Sequence, residues 1–132
     1  MKVSTKGRYA VLAAYELAMN YDKQSLTIKA IADNQQIPKL YLDQLMKMLR
    51  ESGIVESIRG AKGGYRLSKH PCEITIGEVI RAVEEPTVPV ECNNEVKCGK
   101  CDSCVASILW DKIADSISRV IDTETLEDML NY

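Results

Sequence analysis

Residues 54–67 read Ile54-Val55-Glu56-Ser57-Ile58-Arg59-Gly60-Ala61-Lys62-Gly63-Gly64-Tyr65-Arg66-Leu67. The stretch from Ile54 to Arg59 is rich in β-branched side chains and predicts a strand. Gly60 to Gly64 predicts a turn, and Tyr65-Arg66-Leu67 the strand that returns. The product is a β-hairpin with a basic, glycine-rich tip. Three glycines and two cations between Arg59 and Tyr65 bring nothing to a core, because glycine has no side chain to bury and charges stay in water.

Upstream of the hairpin the apolar residues recur at helical spacing. Residues 4–20 predict a helix capped by Ser4 or Thr5, with Leu12, Ala13, Leu17 and Ala18 on its apolar face. Residues 27–34 predict a second, capped by Thr27, with Ile28, Ile31 and Ala32 inward. After a turn at 35–37, Pro38 suits the first turn of a third helix over about 38–51. That helix buries Leu42, Leu45, Met46 and Leu49, exposes Lys39, Tyr41, Asp43, Gln44, Lys47 and Arg50, and stops at Gly53.

Three helices followed by a basic hairpin is the order of a winged helix-turn-helix. The predicted fold is mainly α, with a small β-hairpin wing and a long dimerisation helix. In such a fold the third helix lies in the major groove of double-stranded DNA. Tyr41 and Gln44 are the candidate base readers, and Asp43 either accepts from cytosine or repels wrong sequences. Arg59, with Gly60 beside it at the wing tip, suits a narrow minor groove. Lys6, Arg8, Lys39 and Lys62 suit phosphates.

Downstream, Thr75 and Glu78 form a capping-box pair ahead of a fourth helix, 76–84, with Ile76, Val79, Ile80 and Val83 on one face. Pro86 and Pro89 stop it. The longest helix, about 104–121, carries an apolar stripe wider than one packing surface needs. Leu109, Ile113, Ile117 and Val120 are its candidate dimer contacts. A short helix at 124–130 closes the chain. The organisation read from sequence is therefore a DNA-binding domain over 1–84, a cysteine-rich loop over 85–103, and dimerisation and tail helices over 104–132.

Charge divides the chain in the same way. Net charge is −2, but residues 1–72 hold 12 Lys/Arg against 6 Asp/Glu, and residues 73–132 hold 5 against 13. A basic half suits phosphate, and the acidic half suits another task. No apolar run reaches the length of a membrane span, and residues 1–6 lack the apolar segment of a secretory signal. The expectation is a cytoplasmic protein with no membrane partner.

Four of the five cysteines follow the pattern Cys92-x5-Cys98-x2-Cys101-x2-Cys104. In a reducing compartment such a cluster reads as a metal or redox site rather than a disulfide framework. By count alone, four thiolates suit zinc and iron–sulfur equally, and a thiol switch without metal is a third reading. Cys72 stands apart and is expected to be a packed free cysteine. His70, the only histidine, is expected at the surface. No strand–glycine-loop–helix phosphate motif is present, so neither an enzyme nor a small-molecule substrate is expected.

Taken together, Ser4-Thr5-Lys6-Gly7-Arg8-Tyr9-Ala10, Tyr41-Leu42-Asp43-Gln44-Leu45, Arg59 to Leu67 and Asp122-x-x-Thr125-Leu126-x-Asp128 resemble the Rrf2 family of bacterial transcription regulators. The resemblance covers nearly the whole chain, and within the family it is strongest to the regulators of iron–sulfur cluster biogenesis. It implies a homodimeric repressor whose long helices cross. It also implies a 2Fe–2S cluster on cysteines spaced C-x5-C-x5-C, a spacing that Cys92, Cys98 and Cys104 match. A nitric-oxide-sensing branch uses the same spacing with a 4Fe–4S cluster. A cysteine-metabolism branch, without cluster cysteines, fits less well. Ser107 stands where relatives present a histidine ligand, which makes Cys101 the expected fourth ligand. Pro38 and Leu40 stand where small polar residues are usual, and Asp43 where glutamate is.

Overall fold

The computed structural model describes residues 2–85 and 103–132. The elements are α1 (Thr5–Met19), α2 (Ile28–Gln35), α3 (Lys39–Glu51), β1 (Val55–Ile58), β2 (Gly64–Leu67), a 3-10 turn (Pro71–Glu73), α4 (Ile76–Val83), α5 (Val105–Thr123) and α6 (Leu126–Leu130). The mainly helical chain with one antiparallel hairpin is the expected winged helix-turn-helix.

The helix starts follow from side-chain caps. Ser4 accepts from the Gly7 N–H, Thr27 from that of Ala30, and Thr75 from that of Glu78. The Glu78 carboxylate answers back to the Thr75 N–H at 2.8 Å, completing the expected capping box. Pro38 sits one residue outside the expected position. Its ψ of 128° is extended, so it precedes α3 rather than entering the first turn. Gly53, at φ +78°, ends α3 in the left-handed region that glycine adopts without a Cβ penalty. The strands pair with Val55 opposite Leu67 and Ile58 opposite Gly64.

The core lies where α1, α2, α3 and α4 converge. Alanines at 10, 13, 14 and 18 give α1 a flat buried face that lets neighbouring helices approach closely. Leu17, Ile31, Leu42, Leu45, Met46, Leu49 and Val79 fill the space between them. Leu126 of α6 is also fully buried in this core, although it follows α5 in the chain. Backbone bonds from Leu126 N–H to the Ile74 carbonyl (3.0 Å) and from Ile76 N–H to that of Glu124 (2.9 Å) hold α6 there.

One expectation is corrected. Cys72 is exposed, not packed. It lies in the 3-10 turn, where Pro71 takes the buried position and turns Cys72 outward. His70 is at the surface, as expected, and its Nδ1 accepts from the Cys72 N–H at 3.2 Å to cap that turn. Among the described residues, no helix is long and apolar enough to cross a membrane.

Candidate nucleic-acid interface and cysteine segment

The helix-turn-helix is tied to α1 by a carboxylate. Glu16 is buried on α1, and its two oxygens accept from Asn34 Nδ2 (2.7 Å) and Gln35 Nε2 (2.6 Å) at the end of α2. The next residue, Gln36, is left-handed at φ 55°, which reverses the chain into α3. A buried carboxylate needs donors, and these two amides fix the last turn of α2 against α1. Sequence reading gave Glu16 no role. The available signal was an acid three residues after Ala13 on the apolar face of α1, together with the amide run at residues 34–36.

α3 divides cleanly. Leu42, Leu45, Met46 and Leu49 are at most 1% exposed, while Lys39, Leu40, Asp43, Gln44, Lys47 and Arg50 face solvent. Tyr41 departs from the picture of a free base reader. It is half-buried, and its ring meets that of Tyr9 edge-on, with centroids 5.6 Å apart. That contact joins the start of α3 to the turn of α1 that carries Arg8. At the start of α1, the Ser4 N–H donates to Glu84 Oε2 at 3.3 Å, joining this end to the end of α4.

The wing is anchored at a place the sequence did not suggest. Leu26 and Tyr65 exchange backbone hydrogen bonds of 2.9 and 2.6 Å, and Ser25 Oγ donates to the Lys62 carbonyl at 2.8 Å. The strand thus passes directly against the α1–α2 connection. At Gly64, φ is +154° and a Cβ would collide with the Leu26 carbonyl oxygen, so glycine is required by this close approach. Arg59, Gly60 and Lys62 are all exposed on the tip beyond the anchor.

Most cations are free of ion pairs among the described residues: Lys2, Lys23, Lys47, Arg50, Lys112 and Arg119 are exposed and unpaired, and so are five of the candidate DNA contacts. The four ion pairs among the described residues use Lys29, Arg66, Lys69 and Arg81. Lys6, Arg8, Lys39, Arg59 and Lys62 are exposed and belong to none of them. Unpaired cations on α1, α3 and the wing, held by Tyr9–Tyr41 and the Leu26–Tyr65 bridge, suit a polyanion that touches all three elements.

α5 is joined to this body through α4 and, at its end, through α6. Arg81 and Asp122 make a two-bond fork, Nη1 to Oδ1 at 2.6 Å and Nη2 to Oδ2 at 2.9 Å, between α4 and the end of α5. Hydrogen bonding to the guanidinium holds the Asp122 carboxyl below its ordinary range, and the same contact raises Arg81. None of the 19 residues of α5 is buried. Leu109 and Val120 are exposed, and Ile113 and Ile117 are half-buried.

Cys92, Cys98 and Cys101 lie outside the described residues. Cys104 precedes α5, half-buried, with a free thiol that takes no part in capping. Ser107 donates both its N–H (3.1 Å) and its hydroxyl (2.7 Å) to the Cys104 carbonyl.

A family model described as Rrf2, an iron-dependent transcriptional regulator, matches residues 3–132. The chain is 41% identical over 132 residues to the HTH-type transcriptional regulator CymR of Bacillus subtilis strain 168, covering all of this chain and 91% of that one. It is 36% identical over 131 residues to the HTH-type transcriptional regulator IscR of Escherichia coli O1:K1, covering 99% and 81%. The solved structure of B. subtilis CymR, titled the global cysteine regulator, superposes with a TM-score of 0.84 at 40% identity, covering 100% of this chain and 98% of that one.

Proposed function

The chain belongs to the Rrf2 family of transcriptional regulators, and from that membership we propose that it is a homodimer that reads a double-stranded operator and senses an iron–sulfur cluster. It is a regulator of transcription and not an enzyme. The observation that carries the DNA reading is the set of unpaired cations on α1, α3 and the wing. In this reading Gln44 and Asp43 meet base edges, Arg59 enters the minor groove beside Gly60, and Lys6, Arg8, Lys39 and Lys62 meet phosphates. Tyr41 braces α3 through Tyr9 and offers its outer edge to DNA. The exposed side of α5, with Leu109, Ile113, Ile117 and Val120, forms the dimer seam.

The cluster, of the 2Fe–2S type, is held by Cys92, Cys98, Cys101 and Cys104. Four protein ligands satisfy two irons, and thiolate is the usual donor. Two observations support this set. The Cys104 thiol is not used in capping, and the N-terminal end of α5 favours the negative charge that thiolate-bound iron carries. The Ser107 hydroxyl is committed to the Cys104 carbonyl and is a poor candidate for the fourth ligand. When bound, such a cluster supplies a centre that gains and loses electrons or is assembled and lost. The likeness to IscR supports reading cluster-biogenesis genes as its targets. The higher identity to CymR favours a second reading, control of cysteine metabolism. This chain's own four-cysteine run favours the first.

Protein purified without oxygen tests this reading. Charge-transfer bands in the visible spectrum are expected, and Cys→Ala at 92, 98, 101 or 104 should each remove them. A colourless protein containing zinc would replace the sensor with a folding staple. Full bands after Cys101→Ala alone would reject the fourth-ligand assignment. A colourless, metal-free protein that still binds DNA would leave the cysteine-metabolism reading.

A further inference from the structure

Leu40 is 82% exposed, whereas the other large apolar side chains exposed in residues 2–85, Val3 and Met19, are 38% and 39% exposed. It is the second residue of α3. At about 100° per residue, Leu40 points about 180° from Leu49, directly away from the core. Asp43 and Gln44 are its neighbours at i+3 and i+4, and Lys47 follows one turn later on the same line. An isolated exposed leucine is ordinary on a protein surface. This one occupies the centre of a polar helix face, in the turn that enters the groove first when a helix-turn-helix docks.

We propose that Leu40 reads the 5-methyl group of a thymine in the major groove, which makes a thymine facing the first turn of α3 part of the operator. The inference rests on the reading of α3 as the DNA-reading helix. The major-groove edges of guanine, adenine and cytosine carry hydrogen-bonding groups, and thymine adds the one methyl. An isobutyl group against a polar edge strips its water and returns no hydrogen bond. Against the methyl it loses nothing polar and removes two apolar surfaces from water. Leu40 thus selects for thymine and against the other bases, while Gln44 and Asp43 remain free for the neighbouring pairs.

The test begins by selecting duplexes from a random pool with the full-length protein. Each thymidine of a selected duplex is then replaced singly by deoxyuridine, which removes only the methyl. The wild type is expected to lose about fourfold in affinity at one position per half-site, the factor for burying one methyl-sized group. Leu40→Ala and Leu40→Ser should bind the thymidine and deoxyuridine duplexes equally at that position. Both should melt like the wild type, because the side chain is exposed. Equal binding of all substituted duplexes by the wild type would overturn the inference, as would unchanged thymidine preference in both variants. If no duplex is enriched, the DNA reading itself fails, and this inference with it.

Discussion

α3 and α5 are both amphipathic, and their apolar faces end up in different surroundings. On α3, Leu42, Leu45, Met46 and Leu49 are at most 1% exposed, enclosed by α1, α2 and α4. On α5, Val105, Ile108, Leu109 and Val120 are each more than half exposed, and no residue of the helix is buried. The helices differ in what the same chain can place opposite them. α3 sits in the middle of a bundle, while among the described residues α5 packs chiefly on α4, with the Arg81–Asp122 fork at its end. Exposed apolar area of this extent on a regular helix marks an interaction surface. The described body encloses its own apolar residues, and α5 presents the apolar side that the proposed dimer would cover.

The largest effect expected from this contrast is loss of the dimer. Ile113→Asp combined with Ile117→Asp removes two apolar side chains from the seam, at roughly 1.5–3 kcal/mol each. Sedimentation should show monomers or aggregates while the helical signal of the body remains. A soluble dimer carrying both changes would mean that α5 is not the seam.

A smaller effect is expected on the proposed DNA face. Arg59→Ala should weaken binding to a selected operator by about 1–3 kcal/mol, with an unchanged melting temperature. Lys62→Ala should instead weaken binding to every sequence and lower the slope of log affinity against log salt by about one. Titrations at several salt concentrations separate the two. If neither variant changes binding, the wing does not touch DNA.

The smallest effect concerns the joint between the two regions. Asp122→Asn removes the fork to Arg81, a half-exposed pair for which about 0.5–1 kcal/mol remains after solvent screening. The Asp122 carboxyl is held below its ordinary range in the folded state, so its contribution is present above that range. It is lost as pH falls through the lowered value. Denaturation midpoints of wild type and variant should therefore differ at neutral pH and converge in acid. A gap that persists in acid would assign the effect to packing rather than charge.

Much of the body was legible because its signals are local. The caps at Ser4, Thr27 and Thr75 and the stop at Gly53 act within one helical turn. What escaped was contact between residues far apart in sequence. The Glu16 carboxylate meets amides at 34 and 35, and Ser25 reaches Lys62. No spacing rule relates such positions. Tyr41 illustrates the same limit, since a polar-tipped ring on the outer face of a helix looks free until Tyr9 is set against it.

Helix and strand periods, caps and turn residues are set by neighbours along the chain, so the kind of elements and their order are written in the sequence. So is the chemistry on offer, including four clustered thiols, a basic wing tip and an apolar stripe from Val105 to Ile121. Which polar groups became fasteners and which stayed free for a partner depended on the packed fold. Glu16, Ser25 and Arg81 found partners within the fold, while Lys6, Arg8, Lys39, Arg59 and Lys62 did not. Burial and pairing belong to surfaces brought together in space. The same side chain is a strut or a hand according to what the fold places across from it.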